Sequence, residues 1–183
     1  MKTSTATIGL ALLMTFTNNL QAGPATTSAT AGSNGWGPGT ASATAGHEGG
    51  GIGFARTNTR SGRINFGQGI SLGLDANGLS FSTSYAVAPT RGPAVAGTFN
   101  LGIGLDGSVS RSVGRSVATG DRTRSVNAGG FANPGGYGRP AVAGGSVGGR
   151  TGPRGAVTSR IDSQSRRPRF LRRNTGRHRR FRR

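Results

Sequence analysis

Residues 70–87 read ISLGLDANGLSFSTSYAV, and the spacing within them decides the fold. Ile70, Leu72 and Leu74 share one face of an extended chain while Ser71, Gly73 and Asp75 share the other. After Ala76-Asn77-Gly78, Leu79, Phe81, Thr83, Tyr85 and Val87 alternate with Ser80, Ser82, Ser84 and Ala86. A side-chain period of two on either side of an Asn-Gly step is the mark of an antiparallel hairpin. The device returns thirty-one residues later as LGIGLDG, residues 101–107, with a turn shortened by two residues, and Val109, Val113 and Val117 continue it. Residues 52–66 supply a third hairpin, turning at 58–62. The expected ordered body is one small all-β region over residues 52–119, an antiparallel hairpin sheet of about four to six short strands.

The alternation creates a problem of burial. One face of this sheet is large and apolar, the other almost wholly Ser, Gly and Ala, and Arg111 and Arg115 share the large-residue face with the valines. No amphipathic helix is available as a second layer, so the sheet is expected to curl on itself, pair with another copy as a homo-oligomer, or lie against a foreign surface. The small-residue face permits close stacking of the silk-like kind.

Outside that region composition points away from order. Glycine is 35 of 183 residues and apolar residues are 32%, which leaves much of the chain unable to offset the entropy of ordering its backbone. Residues 23–51 read as a Gly/Ala/Ser/Thr-rich flexible arm in which Ser28-Ala29-Thr30-Ala31-Gly32 recurs as Ser42-Ala43-Thr44-Ala45-Gly46. Residues 120–159 read as a Gly-rich basic linker. There Arg139-Pro140-Ala141-Val142-Ala143-Gly144 echoes Gly92-Pro93-Ala94-Val95-Ala96-Gly97, but among Gly-Gly, Gly-Arg and Pro-Arg punctuation that argues against a strand. By this reading the chain is mostly disordered and of low complexity around the one β region.

The two ends carry an address and a charge. Residues 1–22 have a basic start at Lys2, an apolar core IGLALLMTF at 8–16 and a polar tail ending in Leu20-Gln21-Ala22, the layout of a signal peptide cleaved after Ala22. The apolar core is far shorter than the roughly 20 residues that span a bilayer. The expected location is therefore secreted, or the cell envelope or extracellular matrix.

Residues 160–183 form an Arg-rich tail with half of the chain's arginines: Arg160, Arg166, Arg167, Arg169, Arg172, Arg173, Arg177, Arg179, Arg180, Arg182 and Arg183. A guanidinium fork pairs two-point with phosphate, sulfate or carboxylate and stays charged at any working pH. These eleven are the candidate polyanion-binding residues, with Arg111, Arg115, Arg122 and Arg124 as lesser contributors. An exported polycation meets its partner outside the cytoplasm, so the expected partners are an anionic polysaccharide, an envelope polymer, an anionic lipid or extracellular nucleic acid. No helix-turn-helix, finger or RNP-like strand supports sequence-specific reading of nucleic acid.

Motifs of catalysis are weak against chance. Gly69-Ile70-Ser71-Leu72-Gly73 fits G-x-S-x-G, but a hairpin follows where the nucleophile elbow requires a helix, and the low-complexity run at 144–148 fits as well. Gly102-Ile103-Gly104-Leu105-Asp106-Gly107 fits G-x-G-x-x-G inside a hairpin instead of at a helix start. His47-Glu48 begins like H-E-x-x-H, yet position 51 is glycine. With no cysteine, two histidines and five scattered acids, no metal-ligand cluster is expected, and no cofactor or small-molecule substrate. Asp75 and Asp106 hold equivalent turn positions, where a bond to the local backbone explains them.

With a signal followed by a basic, Gly-rich, cysteine-free chain and short β-like segments, the protein is similar in bulk character to the attacin type of secreted antimicrobial proteins. The expected function is that of an exported non-enzymatic protein, structural or surface- or matrix-associated, whose tail binds an anionic polymer or surface. The alternative is a secreted cationic membrane-active defence protein, in which Phe170, Leu171 and Phe181 enter a bilayer behind their arginines.

Overall fold

The computed structural model describes residues 23–34, 39–49, 51–120, 123–136 and 138–167. The signal segment, Arg122 and the tail beyond Arg167 lie outside the described residues. Ten strands and no helix are found within them: β1 Ala25–Ser33, β2 Thr40–His47, β3 Ile52–Arg60, β4 Ile64–Asp75, β5 Gly78–Pro89, β6 Ala94–Gly104, β7 Val109–Thr119, β8 Arg124–Asn133, β9 Val142–Thr151 and β10 Ala156–Arg166. They form two antiparallel sheets, one of four strands in the order β2-β1-β8-β9 and one of six in the order β10-β7-β6-β5-β4-β3.

The antiparallel hairpins at 64–89 and 94–119 follow the period-two reading, while the third, expected over 52–66 with a turn at 58–62, runs over 52–75 and turns at 61–63 because 58–60 stay paired in β3. The expectation of a small β region of four to six strands is corrected to ten. Strands β1 and β2 run through the stretch expected as a flexible arm, β8 and β9 through the expected linker, and β10 begins in that linker and continues into the expected tail as far as Arg166. Val142-Ala143-Gly144 opens β9, where punctuation argued against any strand. The missing layer is thus supplied by the chain itself.

The reason lies in how the alternation is written. In β1, Ala25, Thr27, Ala29, Ala31 and Ser33 are buried while Thr26, Ser28, Thr30 and Gly32 face out. The period is two, but its contrast is methyl against hydroxyl, which a hydrophobicity pattern barely registers. The two copies of the Ser-Ala-Thr-Ala-Gly repeat are the two arms of one hairpin, with Ser28 opposite Thr44, Ala29 opposite Ala43 and Thr30 opposite Ser42. Their hydroxyls bond in facing pairs, Ser28 Oγ to Thr44 Oγ1 and Thr30 Oγ1 to Ser42 Oγ, each at 2.7 Å.

The sheets stack by their small faces. Ala29, Ala31, Ala86, Ala88, Ala94, Ala96, Ala118, Val126 and Ala128 make the apolar core, and Ser71, Ser82, Ser84, Ser112, Ser116, Asn65 and Asn100 are buried among them. With methyl groups in place of leucines, the layers approach until backbone meets backbone: a Cβ on Gly67 would lie 2.9 Å from the Thr30 carbonyl oxygen of the facing sheet and press harder on that of Ser42. Dispersion across this narrow gap replaces the large apolar burial of an ordinary sandwich.

Buried hydroxyls and amides require partners, and most find them across the layers or within a sheet, Ser84 Oγ being left without one among the described residues. Thr27 Oγ1 on β1 lies 2.8 Å from Ser82 Oγ on β5, which donates to Asn100 Oδ1 on β6 at 2.6 Å. Asn100 Nδ2 donates to Thr98 Oγ1 at 3.0 Å, and Thr98 Oγ1 to the Thr83 carbonyl at 3.1 Å. Gly130 on β8 leaves the room that the Asn100 amide fills.

The two sheets share no ladder where their margins run side by side, β2 by β3 and β9 by β10. Serines one strand in from those edges, Ser108 and Ser110 at β7 and Ser71 on β4, stitch the sheets together there. The β9 strand and the residue before it donate Ala143 N–H to Ser110 Oγ at 2.9 Å and Ala141 N–H to Ser108 Oγ at 2.7 Å, while Ser71 Oγ donates to the Gly46 carbonyl of β2 at 2.5 Å. Otherwise unpaired edge groups are thereby satisfied without barrel closure.

Close stacking sets a test. Gly67→Val and Gly69→Val, which drive side chains into the carbonyls of β1 and β2, are expected to lower stability by about 1–3 kcal/mol each in urea titrations. Gly152→Ala, where a Cβ meets open space, is expected to leave the midpoint nearly unchanged.

Candidate interaction surface

Because the small residues of β3 to β7 turn inward, the large apolar ones of those strands turn outward. On the six-stranded sheet, register places Ile52, Leu74, Leu79, Ile103, Val109 and Arg166 in one row across all six strands. The next row runs Phe54, Leu72, Phe81, Leu101, Arg111 and Gln164, and the third Arg56, Ile70, Thr83, Phe99, Val113 and Asp162. Toward the opposite end, Asn58, Gln68, Tyr85, Gly97, Arg115 and Arg160 precede Arg60, Phe66, Val87, Val95, Val117 and Thr158.

The centre of this face is aliphatic and aromatic. Phe81 and Phe99 pack with ring centroids 6.0 Å apart in a tilted pair, and the Tyr85 ring lies across Gly97 where a side chain would otherwise stand. Leu74 is 49% exposed and Val113 44%, so the face is open to whatever lies against it. Its margins are basic, with Arg56 and Arg60 on β3, Arg111 and Arg115 on β7, and Arg160 and Arg166 on β10.

The outer face of the four-stranded sheet is its chemical opposite. Thr26, Ser28, Thr30, Ser42, Thr44, Ser125 and Asn127 cover most of it, with Val142 and Arg150 exposed on β9 and the Phe131 ring seated over Gly144. The apolar surface is therefore one-sided and does not encircle the molecule as the lipid-facing band of a membrane barrel does.

Of the tail arginines, the structure places three. Arg160 and Arg166 project from the outer face of β10, Arg167 follows it, and all three are exposed. The other eight, Arg169, Arg172, Arg173, Arg177, Arg179, Arg180, Arg182 and Arg183, lie outside the described residues. Arg160 Nε pairs with Asp162 Oδ2 at 3.0 Å, the one ion pair among the described residues. Arg111 spans the sheet edge to Gln164 Oε1, with Nε at 3.1 Å and Nη2 at 2.7 Å.

Arg124 does not belong with these surface arginines. Only 3% exposed, it enters the end of the sandwich, where its Nη2 donates to the Pro89 and Thr90 carbonyls at 3.2 and 2.9 Å and its Nη1 to the Gly120 carbonyl. It ties these chain segments together by charge-assisted bonds. Sequence reasoning missed the margin arginines Arg56 and Arg60; the signal was their period-two spacing with Phe54, which places them on the large-residue face.

The catalytic-looking motifs are built into strands. Ser71 lies buried in the middle of β4, and its hydroxyl is given to the Gly46 carbonyl. Gly102 and Gly104 are on β6, with Asp106 and Gly107 in the turn that follows. His47 packs between Gly53 and Gly73, whose missing side chains make its room, and its ring nitrogens meet no hydrogen-bond partner among the described residues. No group of three or more His, Cys, Asp or Glu side chains converges among those residues.

Both turn aspartates bond locally. Asp75 Oδ1 accepts from Asn77 N–H at 2.7 Å, and Asp106 Oδ1 from Ser108 N–H at 2.8 Å and Ser108 Oγ at 2.5 Å. The Ser108 hydroxyl, followed by its backbone N–H, holds the Asp106 carboxyl below its usual range. Gly107, at φ +79°, allows the tight turn between them.

The Asp106 pKa is lowered in the folded chain, so its stabilising effect is present above the ordinary aspartate range and fades as pH falls through the lower folded value. Asp106→Asn is therefore expected to flatten the acid limb of a stability-versus-pH curve. Arg124→Ala is expected to cost about 1.5–3 kcal/mol of stability for each charge-assisted hydrogen bond removed, offset by relaxation, while polyanion affinity per folded molecule stays unchanged. Arg111→Gln with Arg115→Gln should do the reverse, lowering affinity in a heparin-binding titration and leaving the urea midpoint in place.

Neither a protein-family model, nor a curated protein, nor a solved structure matches this chain.

Proposed function

We propose that the protein is an exported, non-enzymatic binding or structural protein of the cell surface or extracellular matrix. Its arginines hold it to an anionic polysaccharide, an envelope polymer, an anionic lipid or extracellular nucleic acid. The observation that carries this reading is the state of the arginines: every described one but Arg124 is exposed, and among them one alone has a carboxylate partner. A surface so rich in guanidinium groups free of carboxylates, on a chain of net charge +18, attracts polyanions by releasing their counterions. The β-sandwich serves as a rigid body that presents them, and the tail, continuing from β10, adds eight more.

A second reading, a secreted cationic membrane-active defence protein, is favoured by one specific feature, the open apolar face beside those arginines. The two part company in dye-loaded anionic vesicles, which a tether leaves intact and a membrane-active protein empties.

The test is a salt series of binding to heparin and DNA by the full chain and by a chain cut after Arg167. A cut before that point would remove β10 from the sheet. The expected result is a steep fall of affinity with salt for the full chain and a shallower slope after the cut, by up to about 0.9 for each arginine–phosphate pairing removed on duplex DNA. An unchanged slope would assign the binding to the folded body, and salt-insensitive binding would refute the electrostatic reading.

A further inference from the structure

We propose that the outer face of the six-stranded sheet is a docking surface for an anionic lipid leaflet, on which the sandwich lies flat with its hydroxyl-covered sheet toward water. This rests on the reading that the protein engages acidic surfaces and adds the element that does so, the partner, and the orientation.

Size is the first argument. Five inter-strand spacings and about eleven residues per strand give a face of about 24 by 35 Å, and its apolar rows, a little over half of that area, reach the upper part of the roughly 300–600 Å² of the largest, often functional, apolar patch on an ordinary monomer. A surface of that extent, left open by the fold, calls for a cover.

Charge selects the cover. A second copy stacked face to face and turned across the strand direction sets Arg56 on Arg56 and Arg111 on Arg115 of its mate, and one turned about the strand direction brings Arg56 and Arg60 beside the mate's Arg160, with Asp162 already taken by Arg160. The chain's own tail is ruled out on the same ground, because it would lay eight more arginines over six. A leaflet of anionic lipid fits both components. Acyl chains receive Leu72, Leu74, Phe81 and Ile103, and the margin arginines, their stems lying along the apolar surface, reach headgroup phosphates.

The exit of the tail adds a third argument. Arg166, the last residue of β10, shares the row of Leu74, Leu79, Ile103 and Val109, so the tail leaves from the edge of this same face. Body and tail therefore address one surface.

The experiment compares the full chain with a Leu72→Thr/Leu74→Thr/Ile103→Thr variant, threonine being well suited to strands. Partition is measured onto vesicles of phosphatidylcholine alone and of phosphatidylcholine with phosphatidylglycerol, beside binding to heparin. The expected result is binding of the full chain to the anionic vesicles, a fall in the variant of about tenfold per residue replaced, and unchanged heparin binding. A variant that partitions like the full chain would overturn the lipid face and leave the polyanion reading standing. Failure of the full chain to bind either heparin or anionic vesicles would overturn both. A full chain that runs as a dimer in solution, made monomeric by the variant, would assign the face to a second copy and overturn the proposal.

A direct readout does not depend on that variant's stability. Phe81→Trp, carried with Trp36→Phe, is expected to shift its emission to the blue on anionic vesicles and to be quenched by brominated acyl chains. An unquenched, water-exposed tryptophan on bound protein would overturn the proposal.

Discussion

The constraint on which the structure depends is the distance between its two sheets. They come together closely enough that Gly67 lies against the carbonyl oxygens of Thr30 and Ser42, and between them fit glycine, alanine, serine, threonine, a few well-bonded amides and, as the largest core aliphatic, Val126. Strand side chains alternate strictly, so giving the inward positions to small residues sends the large apolar residues of β3 to β7 outward, while β10 keeps Val157 and Ile161 on the inner side beside Gly149 and Gly114. The tight interior and the open apolar face are two consequences of a single choice.

That choice changes what holds the fold together. An ordinary sandwich is stabilised by leucines and aromatics between its layers. Here the largest fully buried side chains include Val126, Asn65 and Asn100, and stability comes from the backbone ladders, dispersion between nearly bare sheets, and polar chains such as Thr27-Ser82-Asn100-Thr98. Such an interior is unforgiving, since each hydroxyl left without its partner costs about as much as several buried methyl groups contribute. Ser108 and Ser110 show how far the arrangement extends, as they serve the backbone of β9 and the residue before it where a closed barrel would have used another strand.

The two outer faces then divide the work. One is hydroxyl-rich and its side chains bond to each other in cross-strand pairs, which suits it to water. The other combines an apolar centre with arginine margins, and Arg166 brings the tail to its edge. Arg124 stands apart from this electrostatic surface because it is buried, with both terminal guanidinium nitrogens donating to carbonyls inside the sandwich and Nε left without a partner among the described residues.

The sequence by itself determined most of the strands of the six-stranded sheet from 52 to 119, the turns after β4 and β6, and the sharing of one face by Arg111, Arg115 and the valines, because there the alternation is between large and small residues. It also determined the net charge and the concentration of arginine at one end. Tertiary structure alone decided which face is buried. By hydrophobicity the apolar face belongs inside, yet the partner sheet, built from Ala/Ser/Thr/Gly segments at 25–47 and 124–151, is complementary in shape to the small-residue face and not to the large one. Those segments were illegible as strands because their alternation of methyl and hydroxyl carries almost no hydrophobic contrast, and because their glycines, which read as flexibility in isolation, supply the close approach once a second sheet is present. Arg124 was misplaced among the surface arginines for a similar reason: nothing local to Arg124 reveals that the carbonyls of Pro89, Thr90 and Gly120 converge on it.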